Sequence, residues 1–248
     1  VKETAMNELL TKVLEAHGGL DNWSTVKGLT VKLSLDGPFW DGVGWPEIRR
    51  QQTLSVDARH ERTRLTPFVG ENEVATYESA PELVRVVAAD GSVLGASDDP
   101  RPTYPEYTPE AKWDRVQVAY FTATANWNYF VEPFLFTYPG VRAEEIEPWQ
   151  EGDETWRRLR VTFPANLPNH NPEQTFYYDD RFLLRRMDYA PEVTGNAPIA
   201  HYVHEPVTVD GLVFYRRRMV HLRAEDGTAD RSWAPIEIGT DEVVVERD

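Results

Sequence analysis

Proton-transfer chemistry needs a titratable base beside a group that orients it, and the chain gathers such residues in its last third. Asp188, His201 and His221, with the hydroxyl of Tyr215, fall in three successive segments of extended pattern. Asp188 beside His201 or His221 would pair an orienter with a base, a set suited to proton transfer or general-base isomerisation, and Tyr215 shares a strand face with His221. His201-Tyr202-Val203-His204 is the most metal-like spacing in the sequence. Residues three apart in a strand point to opposite faces, however, so the two rings do not converge on one ion and no metal site is expected. His17, just before Gly18-Gly19, reads as the cap of a helix whose C-terminal end favours a protonated ring.

A second group of residues is suited to binding. "ATANWNYFVEPFLFTYPG", residues 123 to 140, holds Trp127, Tyr129, Phe130, Phe134, Phe136 and Tyr138, interleaved with Asn126 and Asn128. Apolar surface dotted with convergent polar groups lines small-molecule pockets, and the bland reading of the same stretch is core packing between a helix and a sheet. Tyr120 precedes the stretch on the same helical pattern. Trp40 and Trp45, in "DGPFWDGVGWP", are placed to close over one mouth of such a cavity. The strand Phe214–Arg223 adds Met219 and Arg217; an inward arginine needs a partner, either an internal acid such as Asp188 or Glu205, or a ligand carboxylate held bidentately. A membrane-facing role fits poorly, because Glu132 and the surrounding acidic charge oppose anionic lipid.

These residues need a scaffold. Leu9, Leu10, Val13 and Leu14, with Met6 before them, recur at helical spacing, predicting a helix over about 5–17. Thr108-Pro109-Glu110 resembles a helix start, predicting a second helix over about 109–128. Phe134, Phe136 and Tyr138 alternate like a short strand. From Leu29 the period is two, and strands are expected at 29–35, 47–56, 59–65, 73–78 and 83–88 with 93–94, then at 143–149, 155–163, 174–178, 183–189, 201–207, 214–223 and 242–246. So many short strands joined by short links imply one strongly curved antiparallel sheet, an incomplete barrel of the α+β class, with the two helices covering its concave face. No repeat or linker divides the chain, so residues 1–248 are expected to form one half-barrel domain.

Composition narrows the partners. Acidic residues outnumber basic ones 41 to 26 among 248, a formal charge of −15, which is unfavourable for a nucleic-acid partner. The chain has no cysteine, which excludes disulfides and thiolate chemistry. No P-loop, dinucleotide fingerprint, metalloprotease pair or nucleophile elbow is present, so no cofactor is expected. No stretch reaches the length of a transmembrane helix and the first residues do not read as a signal segment, so a cytoplasmic protein is expected, or a periplasmic or extracellular one if a leader is removed. Nothing in the pattern reports an oligomeric state.

Four segments resemble a known family. "LTKVLEAHGGLDNWSTVKGLTVKLSLDG" (10–37), "EQTFYYDDRFLLRRMDY" (173–189) and "AHYVHEPVTVDGLVFYRRR" (200–218), with "PIEIGTDEVVVE" (235–246), are similar to a broad bacterial group of lipoprotein-sorting carriers and their outer-membrane receptors (LolA/LolB-like). The resemblance implies an incomplete antiparallel barrel with an apolar cavity for acyl chains. It carries no catalytic signature. The leading expectation is therefore a soluble protein that binds a hydrophobic small molecule or acyl chain, with a carboxylate on it as one option. The alternative is a cofactor-independent isomerase, cyclase or hydrolase acting in the same cavity.

Overall fold

Alternating apolar residues such as Leu29, Val31, Leu33 and Leu35 lie in extended chain, and the helical spacing of Leu9, Leu10, Val13 and Leu14 lies in helix. The computed structural model describes residues 7–248; Met6, read above as part of the first apolar helix face, lies outside them. The first helix, α1 (Glu8–Ala16), is capped by Asn7, whose Oδ1 accepts from the Leu10 amide at 2.7 Å, and it buries Leu9, Leu10, Val13 and Leu14. It stops at Gly18, where φ is +118° and a Cβ would lie 2.3 Å from the Gly211 carbonyl. A short α2 (Leu20–Ser24) follows and lays Trp23 flat on Phe134, ring centroids 4.4 Å apart.

Thirteen strands then form one antiparallel sheet among the described residues. In chain order they are β1 (Val26–Asp36), β2 (Gln51–Asp57), β3 (Arg62–Thr66), β4 (Val74–Ser79), β5 (Glu82–Val87), β6 (Val93–Ser97), β7 (Arg142–Glu151), β8 (Glu154–Thr162), β9 (Glu173–Tyr178), β10 (Leu184–Tyr189), β11 (Ile199–Val209), β12 (Leu212–Leu222) and β13 (Ile236–Arg247). The sheet is two meanders joined at the middle. β1 to β6 run outward to one edge, β7 to β13 run inward from the other, and β13 pairs with β1 from Val26↔Arg247 to Asp36↔Glu237. Neither edge meets the other, so the barrel stays open. A sheet of this width has to curl, and the curled sheet has an inner face that must be covered.

The cover is the connection between the two edges. α3 (Phe39–Val43) lies on the β1–β2 link, and α4 (Arg115–Val131) on the link from β6 to β7. Asp114 and Gln117 form a reciprocal capping box that starts α4. The expected start at Thr108-Pro109 is instead a turn, because no side chain there caps the amides and Trp113 is already committed through its amide to the Val43 carbonyl. Every residue of α4 from Gln117 to Val131 is buried. A helix enclosed on all sides carries no polar stripe, and its polar side chains turn back on their own helix. Thr122, Thr124, Asn126 and Asn128 each donate to the carbonyl four residues earlier. Residues Phe134–Thr137, expected as a strand, form a 3-10 turn. Likewise β2 begins at Gln51, since Pro46–Ile48 is also a 3-10 turn.

Both meanders hold α4. Tyr120 meets Tyr77 of β4 edge to face, and Trp127 donates its indole N–H to the Asp57 carbonyl at 2.8 Å. On the other side, Arg218 of β12 donates to the Tyr129 carbonyl at 2.7 Å.

Candidate functional site

A cavity of about 540 Å3 lies between α4, α3 and the inner face of β10–β13. From α4 it takes Phe121, Thr122, Ala125, Asn126 and Tyr129; from α3 and its approach, Pro38, Phe39, Trp40 and Gly42. The sheet contributes Tyr189, Ile199, Val220, Ile236 and Ile238, and the loop after β8 contributes His170. At its mouth stand Tyr107, Leu222 and Trp233, which are 43%, 46% and 47% exposed. These are three of the eight large hydrophobic side chains the described chain leaves exposed; three others, Leu83, Val93 and Leu94, lie on β5 and β6.

The mouth is built from two segments that touch. The Phe39 amide donates to the Pro235 carbonyl at 3.0 Å, and a Cβ on Gly37 would lie 2.2 Å from that same oxygen, so only glycine permits the approach. His221 fixes the second segment from behind. Its Nδ1 lies 2.8 Å from the Trp233 carbonyl; a carbonyl only accepts, so Nδ1 carries the proton and donates.

Within the wall runs a chain of four side chains. His170 Nε2 meets the Tyr129 hydroxyl, which meets the Tyr189 hydroxyl, which meets His201 Nδ1, each at 3.1 Å. His170 also stacks on Tyr189, with centroids 4.9 Å apart. Burial, aided by the Arg101 charge, lowers the His170 pKa to about 3, and burial with the Arg218 charge holds His201 well below the usual imidazole range. Burial raises both tyrosines above the usual phenol range. The chain is therefore neutral, and each hydrogen bond in it can run in either sense. Behind Tyr129, Arg218 pairs with Glu132 at 2.9 Å in full burial; desolvation raises the Glu132 carboxyl to about 7 against the pull of the guanidinium.

The residues singled out from the sequence divide cleanly by sheet face. Register aligns Met187, His201 and Val220 in one row, and Asp188, Ala200 and His221 in the next. Because Val220 lines the cavity, the first row faces inward and the second outward. Asp188 and His201 are thus on opposite faces and form no orienter–base pair. Asp188 and His221 share the outer face, but both Asp188 oxygens are committed: Oδ1 accepts from Arg186 Nε at 2.6 Å, and Oδ2 accepts from Arg186 Nη2 at 2.8 Å and from the Tyr177 hydroxyl at 2.7 Å. Arg186 is fully buried there, boxed by Trp149, Tyr177 and Tyr202, and ties down the loop before Trp233 through the Gly227 carbonyl at 2.7 Å.

Tyr215 is equally occupied. His17 donates through Nδ1 to the Val13 carbonyl at 2.8 Å, so its Nε2 accepts from the Tyr215 hydroxyl at 3.0 Å, and that oxygen accepts from the Leu184 amide. His17 caps α1 as expected but is not protonated: burial outweighs the helix end and lowers its pKa to about 4.

Of the expected binding residues, Trp40 and Tyr129 line the cavity. Trp45 lies to one side, its indole bonded to the Trp113 carbonyl and its ring under Arg115. Tyr120 faces Arg101 on the far side of α4. Trp127, Phe130, Phe134, Phe136 and Tyr138 pack into the core; Phe136 lies against Phe176, and the Tyr138 hydroxyl donates to the Ala58 carbonyl. Met219 and Arg217 point outward, as the partners of Glu237 and Gly239 on β13, and Arg217 pairs there with Glu237 at 3.3 Å. Sequence reasoning passed over His170, Tyr189, Ile199 and Trp233. Tyr189 was legible as the inward neighbour of Met187, whereas nothing local marks His170.

No protein-family model matches the chain, and no curated protein does. Among solved structures it is similar to a LolA superfamily protein from Nitrosomonas europaea (8% identity, TM-score 0.45, 96% of this chain and 92% of that one). It is also similar to a putative outer membrane lipoprotein-sorting protein domain from Vibrio parahaemolyticus (8%, 0.44, 96% and 91%) and to a DUF1329 family protein from Desulfovibrio piger (9%, 0.47, 96% and 92%). Two of these structures, the LolA superfamily protein and the lipoprotein-sorting protein domain, bear names from the group that the sequence segments resemble. These likenesses are of fold alone. No described helix is long and apolar enough to cross a membrane.

Proposed function

We propose that this chain binds one hydrophobic small molecule in the cavity between α4 and the inner sheet face. The observation that carries this reading is the cavity's make-up: about 540 Å3, walled by aromatic and aliphatic side chains, with a few polar groups and an exposed apolar mouth. Cavities of roughly 300–1,000 Å3 with such walls hold drug-sized molecules and bury most of their surface. Titration with Nile red, a neutral apolar dye, tests it: one saturable site with a blue-shifted emission is expected, and emission that rises without saturation overturns it.

A second reading is supported by the four-residue hydrogen-bonded chain. A neutral His170–Tyr129–Tyr189–His201 relay beside an apolar cavity is suited to moving a proton during an isomerisation. In that case the group at the substrate is His170, not Asp188 or His221, whose protons and lone pairs serve the outer face. Tyr129→Phe then abolishes turnover of a substrate that still binds, while under the binding reading it changes affinity alone.

A further inference from the structure

We infer that the cavity selects a neutral apolar alcohol over the carboxylate of the same chain length, holding the hydroxyl at Asn126 and His170. This rests on the reading of the cavity as a ligand site and names the chemistry of the ligand.

The charge inventory comes first. Among the described residues that line the cavity there is no arginine, lysine, aspartate or glutamate. The buried cation behind Tyr129, Arg218, does not line the cavity; its Nη2 is held by Glu132 and the Tyr129 carbonyl, while its Nε is unpartnered among the described residues. Arg217, the residue expected to grip a carboxylate, is exposed on the outer face and paired with Glu237. A carboxylate drawn into this space would lose its water and find no cation to replace it.

The polar atoms point the same way. Asn126 Nδ2 donates to the Thr122 carbonyl at 2.8 Å. That oxygen only accepts, which fixes the amide orientation and leaves Oδ1 as the free end. Asn126 lines the cavity, and its Oδ1 has almost no water-accessible surface and no hydrogen-bond partner among the described residues, so a donor reaches it as the side chain shifts toward the cavity. An acceptor in that state is costly until a donor reaches it. His170 uses Nε2 on Tyr129 and leaves Nδ1 without a protein partner among the described residues. A neutral imidazole offers one donor and one acceptor, and which of them faces the cavity depends on the sense of the Tyr129 hydrogen bond.

A hydroxyl group fits both conditions. It donates its one proton to Asn126 Oδ1 and accepts through a lone pair from His170 Nδ1–H, in the tautomer whose Nε2 accepts from the Tyr129 hydroxyl. A carboxylate accepts only, gives Asn126 nothing, and brings an unpaired charge. An ether of equal length accepts but cannot donate, so it isolates the contribution of the donor.

The test is displacement of Nile red from the full chain at pH 8 by decan-1-ol, decanoate and methyl nonyl ether, in the unmutated protein and in Asn126→Leu. Decanol is expected to displace the dye at a concentration at least roughly tenfold below that of decanoate and of the ether, the factor one satisfied buried hydrogen bond is worth. In Asn126→Leu, with dye binding retained, decanol weakens to the level of the ether. Equal or tighter binding of decanoate overturns the inference, as does an ether that matches decanol in the unmutated protein, a comparison that needs no variant to fold. If the dye itself shows no saturable site, the ligand-site reading falls as well; if the dye binds and the three competitors rank alike, only the preference for alcohols falls.

Discussion

Replacing Ala125 by leucine asks whether the space beside α4 is a real cavity. Ala125 is a buried wall residue on the cavity side of the helix, and leucine is nearly as good a helix former as alanine. Three carbons added to apolar free space are worth about 0.8 kcal/mol each, so the variant should gain up to about 2 kcal/mol. In a filled core the same change overpacks and costs about 1–3 kcal/mol. The sign therefore decides. Ala119, also buried on α4 but away from the cavity lining, is the matched control, and Ala119→Leu should lose about 1–3 kcal/mol. Urea unfolding followed by tryptophan fluorescence reads both variants, and Nile red titration should show weaker dye binding in Ala125→Leu only. A destabilised Ala125→Leu that binds dye like the unmutated chain would refute the reasoning.

Other outcomes follow from the polar interior. His17 has its pKa lowered from 6.5 to about 4 by burial, so the native state binds fewer protons than the unfolded chain between those values. Its contribution is complete above about pH 6.5 and is lost as pH falls through about 4; the 2.5-unit gap corresponds to about 3 kcal/mol. His17→Gln, whose amide can donate to Val13 and accept from Tyr215, should remove that share of the acid sensitivity in urea titrations at pH 7 and pH 4; an unchanged difference between the two would contradict it. Asp188→Ala strips the fully buried Arg186 of its main counterion and should cost about 3–5 kcal/mol, so a loss below about 1 kcal/mol would argue against the outer-face network. His221→Ala releases the Trp233 carbonyl, and trypsin should then cut after Arg231 faster than in the unmutated chain; identical cleavage would mean that the segment is held by other contacts alone.

The strands were legible because alternation reports a sheet with one covered face, and Leu29, Val31, Leu33 and Leu35 show it without interruption. The first part of β13 was not, since Ile236 and Ile238 are separated from Val243 by a small and polar stretch that reads as loop. α4 was placed about six residues early, because Thr-Pro-Glu imitates a cap and a helix buried all round has no apolar stripe to mark its start. For the site, parity along one strand was readable, and Asp188 and Tyr189 were correctly set on opposite faces. Which faces of neighbouring strands coincide depends on register, and a shift of one residue exchanges them. That is why His201 looked like a partner for Asp188 when it faces Tyr189 instead. His170 comes from a loop that only the tertiary fold brings against α4, so no local pattern announces it.

A crystal structure with a bromine-tagged decanol tests the central claim most directly, since the anomalous signal of bromine locates the tail without reference to a model. The expected result is a single strong peak between α4 and the β10–β13 inner face, among Phe121, Ala125, Ile199 and Ile236, with the hydroxyl toward Asn126. A peak on the outer face of the sheet, or none at a concentration that saturates the fluorescence titration, would contradict it.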